Sequence, residues 1–78
     1  MKIKIYSAPN CPWCQLAKEF LSEHQIPFED IDVSRNEAAL NEMINKTNQM
    51  GVPVIDIDGQ IIIGFDKNRL MELLNLQE

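Results

Sequence analysis

The spacing of apolar residues changes period several times along the chain, and each change marks an element. From Lys2 to Tyr6 the residues Ile3 and Ile5 fall on one side of an alternating run, the period of a strand. Pro9-Asn10 breaks that run. From Pro12 to about His24 the apolar residues Leu16, Ala17, Phe20 and Leu21 recur at helical spacing, with Lys18, Glu19 and Glu23 turned outward. Pro12 suits the first helical position, where its missing N–H costs nothing, and Pro27 forbids continuation. Phe28 to Val33 alternates again, which puts Ile31 and Val33 inside and the intervening acids outside. Ser34-Arg35-Asn36-Glu37 has the form of a capping box, with the Ser34 hydroxyl accepting from the Glu37 N–H. It predicts a second helix carrying Leu40, Met43 and Ile44 on one side and ending near Thr47-Asn48. Val54 to Ile57 and Gln60 to Ile63 flank Asp58-Gly59, a strong two-residue hairpin signal. Asp66 can then cap a last helix bearing Leu70, Leu73 and Leu74.

The element order is therefore β-α-β-α-β-β-α. The opening βαβ unit should be parallel and right-handed, and the hairpin adds antiparallel strands. A four-stranded mixed sheet with its three helices on both faces is the economical α/β packing. No repeat, low-complexity tract or linker interrupts the 78 residues, so one domain over 1–78 is expected.

Composition narrows the function. A 45% hydrophobic content is too high for a disordered tail. A net charge of −5 argues against nucleic acid or an anionic membrane as the main partner. The length leaves no room for a second domain that binds a dinucleotide or a flavin. No run approaches the ~18 apolar residues of a membrane span, and Lys2 and Lys4 are followed by no signal-peptide core. A cytoplasmic monomer is expected.

Chemistry concentrates in Cys11-Pro12-Trp13-Cys14, where the first strand passes into the first helix. A purely structural disulfide here would enclose too short a loop to gain much. Cysteines at i and i+3 across a first helical turn come within roughly 5–6 Å between Cα atoms, the distance a disulfide needs. A sulfur at a helix N-terminus faces unpaired N–H groups and the positive dipole end, which favours thiolate. Cys11, at the cap, should be the exposed nucleophile; Cys14, a turn inside, the resolving thiol. Two rival readings exist. Zinc needs four ligands and the chain offers only His24 besides the pair, so a tetrahedral site would require two chains. An inert pair would require both sulfurs to be buried at an exposed helix start. A CxxC beside a βαβ pattern favours redox use over either. Cys11 has no sequence-adjacent cation, so its activation should rest on the helix end and on Cys14, with a moderate fall in pKa.

Together with Gly51-Val52-Pro53 ahead of the hairpin, this motif makes the whole chain resemble a glutaredoxin or glutaredoxin-like redoxin of the thioredoxin superfamily. The resemblance implies a thioredoxin-like fold, a cis Val52–Pro53 bond packed against the dithiol, and a Val52 backbone that pairs strand-like with the cysteinyl part of a substrate. It implies a substrate groove formed by Pro12, Trp13, Gly51, Val52, Pro53, Gly64, Phe65 and Asp66. Several positions depart from the family pattern. Ala8 stands where glutathione-using members commonly place Lys; Gly51 replaces the Thr of Thr-Val-Pro; Ile63-Gly64-Phe65-Asp66 replaces Gly-Gly-x-Asp; and Lys67 stands where a second acid often follows. These forms resemble redoxins that take electrons from thioredoxin reductase, although glutathione stays a candidate co-substrate.

Among single residues, Trp13 is expected to contact substrate, while Phe65 either closes the same groove or packs under the last helix, and Met50 either walls it or fills the core. Asp66 either meets a substrate α-amino group or simply caps. Tyr6 belongs to strand packing, and His24 to the helix C-terminus. Glu29, Asp30, Asp32, Glu37 and Glu42 read as a solvated face that filters partners. The expected activity is thiol–disulfide oxidoreduction of protein or small disulfides, with no tightly bound cofactor and no metal. The electrons would come from a thioredoxin reductase-like flavoprotein or from glutathione. The alternative from another class is a non-enzymatic iron–sulfur carrier, a dimer bridged through its thiolates.

Overall fold

A computed structural model describes residues 1–76. Strand β1 (Ile3–Ser7) leads into helix α1 (Pro12–Glu23), then strand β2 (Glu29–Asp32) and helix α2 (Glu37–Thr47). Strands β3 (Val54–Ile57) and β4 (Gln60–Ile63) form the hairpin, and helix α3 (Lys67–Leu74) closes the order. The sheet runs β2-β1-β3-β4; β1 and β2 are parallel, and both other pairings are antiparallel. This is the predicted four-stranded mixed sheet with three helices.

Strand alternation divides the core between the two faces. Ile3, Ile5, Ile55, Ile57 and Ile62 point to one side and pack with Ala17, Phe20 and Leu21 of α1 and Leu70 of α3. Tyr6 and Val54 point to the other and meet Ala39 and Met43 of α2 together with Val33. The hairpin turns at Asp58 (φ 49°) and Gly59 (φ 92°), two consecutive positive values that match the twist of the flanking strands.

Three local expectations are corrected. Helix α2 is capped by Asn36, whose side chain accepts from the Ala39 N–H at 3.0 Å, and not by Ser34. Ser34 instead donates its N–H and its hydroxyl to Asp32 Oδ1, at 2.9 and 2.6 Å, closing the turn that leaves β2. Leu16 of α1 is exposed, because Cys14, Ala17 and Leu21 define the buried stripe and Leu16 lies off it. Lys18 does not turn outward: its ammonium pairs with Asp30 at 2.8 Å and its side chain is mostly covered. His24 caps α1 as expected, with its Nδ1 2.9 Å from the Phe20 carbonyl.

Of the acids expected on a solvated face, Glu29, Asp30, Glu37 and Glu42 are exposed and Asp32 is half-buried; Asp56, outside that set, is buried. Lys46 of α2 reaches through its own face to the sheet, 2.7 Å from Asp56 Oδ2, 3.0 Å from Glu42 Oε1 and 2.8 Å from the Tyr6 hydroxyl. Tyr6 in turn donates its hydroxyl to Glu42. Asp56 sits on the fully buried central strand β3, and its second oxygen accepts from the Gly59 N–H at 2.7 Å. Burial alone would raise the Asp56 carboxyl, but Lys46 and the Gly59 N–H outweigh it and hold the group below its ordinary value. The Tyr6 hydroxyl and Lys46 lower Glu42 to about 2. Folded values below unfolded ones make these carboxylates a source of stability that is complete above their ordinary range. That stability is lost as pH falls, for Glu42 from its ordinary 4.5 toward about 2. Urea midpoints are expected to decline through that window, and the decline should be shallower in Glu42→Gln.

Candidate functional site

The site forms where β1 ends and α1 begins. Asn10, at φ 59°, turns the chain so that Cys11 becomes the N-cap of α1 and Pro12 its first residue. Pro12 suits that place because the first helical N–H has no partner to lose. Cys11 and Cys14 are joined as a disulfide with 5.2 Å between their Cα atoms. The Cys11 sulfur accepts the Cys14 N–H at 3.2 Å. A thiolate released at Cys11 by reduction would therefore already face a helix-terminal donor and the positive dipole end. Cys14 is 1% exposed and Cys11 partly exposed, so only one sulfur of the pair meets a partner readily.

Val52 and Pro53 approach the dithiol from the loop between α2 and β3. The bond between them is cis, as the family resemblance implied, and the Val52 carbonyl lies 4.0 Å from the Cys11 sulfur. A groove of about 310 Å³ collects Trp13, Val52, Pro53, Ile63, Gly64, Phe65 and Asp66. Trp13 is 59% exposed on its rim. Phe65 lines the groove and lies edge-on to Phe20 of α1, 5.9 Å between ring centres. Gly64 takes φ 84°, a value only glycine adopts without strain, and its N–H bonds the Pro53 carbonyl at 2.8 Å. Asp66 caps α3 by accepting the Arg69 N–H at 3.1 Å.

Two expected groove residues lie elsewhere. Pro12 faces a different cavity, and Gly51 is exposed beside the groove with its backbone engaged by Gln49. Met50 is exposed rather than core filler. Ile63, read as a strand residue standing in place of the first glycine of Gly-Gly-x-Asp but not as a groove residue, is an exposed apolar member of the groove.

The opposite flank of the dithiol has a distinct character. A cavity of about 620 Å³ is bounded by Cys11, Cys14, Ser7, Lys18, Asp30 and Asp32, among others. Ser7 is buried and donates its hydroxyl to Asp30 at 2.7 Å, and Asp30 carries the ion pair to Lys18. The Ser34 hydroxyl and N–H hold the Asp32 carboxyl below its usual value, against a weaker opposing effect of burial. The chain order of Lys18 held the clue, since i and i+4 on a helix share a face with Cys14. The dithiol thus adjoins two recesses, one walled by Trp13, Val52, Ile63 and Phe65 and the other carrying the charges of Lys18, Asp30 and Asp32. Among the described residues no group of three or more His, Cys, Asp or Glu side chains is arranged to hold a metal ion, and no helix is long and apolar enough to cross a membrane.

Comparison with known proteins matches this arrangement. The family model described as Glutaredoxin covers residues 3–62. A glutaredoxin-like 8.6 kDa protein of the rubredoxin operon of Clostridium pasteurianum is 47% identical over 72 residues, spanning 92% of this chain and 96% of that protein. The crystal structure of a point mutant of the thioredoxin-like protein BC3987 superposes with a TM-score of 0.92 at 36% identity, covering 97% of both chains. The glutaredoxin-like protein NrdH-redoxin from Escherichia coli, whose structure was described for its thioredoxin-like activity profile, superposes with a TM-score of 0.82 at 26% identity. That match covers 94% of this chain and 95% of the redoxin.

Proposed function

This chain belongs to the glutaredoxin family, and we propose that within it the protein is a dithiol electron donor to protein and small-molecule disulfides, recharged by a thioredoxin reductase-like flavoprotein. The observation that carries the reading is the asymmetric pair at the start of α1: an accessible Cys11 whose sulfur accepts a helix-terminal N–H, above a buried Cys14. In the forward reaction the Cys11 thiolate attacks one sulfur of a target disulfide and expels the other as a thiolate. Cys14 then loses its proton and attacks the Cys11 sulfur, which releases the second target thiol and leaves the Cys11–Cys14 disulfide. Two electrons pass to the target, and a reductant must return them.

Trp13, Val52, Pro53, Ile63, Gly64 and Phe65 would hold the chain that carries the target disulfide, through apolar contact and the exposed backbone of Val52. The reductant assignment rests on what a glutathione tripeptide would find. Ala8 brings no cation for a carboxylate, and one Asp66 oxygen is already engaged by its own helix. The thioredoxin-like activity profile named for the NrdH-redoxin points the same way. A reducing cytoplasm is the compartment in which such a donor works, and no second chain is needed to complete the site.

The reductant is tested by oxidising the protein and following recovery of its thiols in two systems. One supplies glutathione with glutathione reductase, the other NADPH with thioredoxin reductase. Fast recovery is expected only in the second. Equal or faster recovery with glutathione would reassign the reductant while leaving the dithiol mechanism in place.

A further inference from the structure

The loop that presents Val52 is fastened by a side chain that neither lines the groove nor touches sulfur. The Gln49 amide folds back over Gly51 and takes both of its backbone polar groups. Its Oε1 accepts the Gly51 N–H at 2.7 Å, and its Nε2 donates to the Gly51 carbonyl at 3.1 Å. The same Nε2 reaches the Thr47 hydroxyl at 3.2 Å. Thr47 is itself anchored, with its hydroxyl 2.7 Å from the Met43 carbonyl on the last turn of α2 and 3.1 Å from the Gln49 carbonyl. A chain of hydrogen bonds thus runs from α2 through Thr47 and Gln49 to Gly51, one residue ahead of the backbone that meets the substrate.

The glycine leaves room for this closure. A Cβ added at Gly51 would lie 2.8 Å from Gln49 Oε1, closer than such contacts occur, so the flexible amide must shift and its bond from the Gly51 N–H is disturbed. The space that a side chain at position 51 would enter is thus occupied by the Gln49 amide.

We infer that Gln49 is a positioning residue for peptide disulfides, which acts by fixing Gly51 so that the Val52 backbone is held ready for strand-like pairing. The inference rests on the groove reading above, since it needs a substrate that uses the Val52 backbone. Ordering that backbone in advance removes an entropic cost from docking but leaves the sulfur chemistry unaltered. The effect should therefore appear in the half-saturating concentration and not in the limiting rate. It should also vanish for a disulfide with no peptide groups.

The test uses the reduced full-length chain and follows its oxidation through the fluorescence of Trp13. One probe is a disulfide-linked cysteinyl peptide in extended form, and the other is 2-hydroxyethyl disulfide. Gln49→Ala is expected to raise the half-saturating peptide concentration about fivefold, the weight of a lost hydrogen bond, with the limiting rate within about twofold. Its rate with 2-hydroxyethyl disulfide should match the wild type. Gly51→Ala should give a similar rise, and the double variant should be no worse than either single one, because both substitutions open the same clamp. Unchanged peptide saturation in Gln49→Ala, equal losses on the two probes, or multiplicative losses in the double variant would each overturn the inference. A wild-type chain that reduces neither probe would instead overturn the functional reading beneath it.

Discussion

Cys14→Ser is expected to arrest the reaction with target and redoxin joined by a covalent bond. The variant keeps Cys11 and its helix-terminal N–H, so attack on a target disulfide proceeds and a mixed disulfide forms. Resolution fails because no second thiol stands within reach, and the adduct persists on non-reducing gels and in intact-mass spectra. Cys11→Ser removes the accessible sulfur and leaves a thiol that is 1% exposed, so dithiol turnover should fall to background. The two variants separate the roles: one traps, the other is silent. A Cys14→Ser protein that turned over dithiol substrates at the wild-type rate would remove Cys14 from the mechanism, and trapping through Cys14 in Cys11→Ser would reverse the assignment.

The second large effect concerns stability. Lys46→Met should destabilise the fold by about 2 kcal/mol, less than breaking a fully buried pair because only the Asp56 end is buried and Lys46 keeps solvent contact. Burial works against the ammonium, yet hydrogen bonds to Asp56, Tyr6 and Glu42 outweigh it and hold the lysine pKa above its ordinary value. Removing it takes the one ammonium hydrogen-bonded to Asp56, leaving that carboxylate on the central strand with the Gly59 N–H and the more distant Lys4 charge, while Glu42 keeps Tyr6 and its 3.5 Å pair with Lys4. The cost is read as a lower urea midpoint at pH 7 with an unchanged slope. Pairing Lys46→Met with Asp56→Leu should recover much of the loss, since replacing both partners avoids the stranded carboxylate. Failure of the double variant to recover would move the loss from charge to packing of the lysine stem. Lys46 lines neither the groove nor the cavity at the dithiol, so activity per folded molecule should be preserved.

Features decided within a few residues were legible in the sequence. Asp58-Gly59 specifies its turn by backbone preference alone, and Asp66 meets the N–H of Arg69 three positions on. The Cys11-Pro12-Trp13-Cys14 segment carries its own geometry, because a proline at N1 and a cysteine at the cap fix where the helix starts. The α2 cap was harder: Ser34 and Asn36 both suit an N-cap, and the choice fell to Asn36 because Asp32 claims the Ser34 hydroxyl. Pairings across the sheet were out of reach. Nothing local links Tyr6, Glu42, Lys46 and Asp56, which converge only after α2 has been laid on its face. Likewise Lys18 looks like an ordinary surface lysine until β2 brings Asp30 beside it. The Gln49 closure spans only two residues, yet a side chain returning to its own backbone leaves no periodic trace in the sequence.

The two unlike flanks of the dithiol bear on traffic as well as on recognition. Each turnover moves two electrons but also two protons, and these need not share a route. A target chain lying in the groove of Trp13, Val52, Ile63 and Phe65, as proposed above, would shield that side from water. The cavity bounded by Ser7, Lys18, Asp30 and Asp32 is lined by both cysteines and by none of those four groove residues. The two protons given up by the dithiol are matched by the two taken up by the target thiolates, so no net charge builds, and a recess at the cysteines would give the Cys14 proton a way out while a target chain still covers the groove.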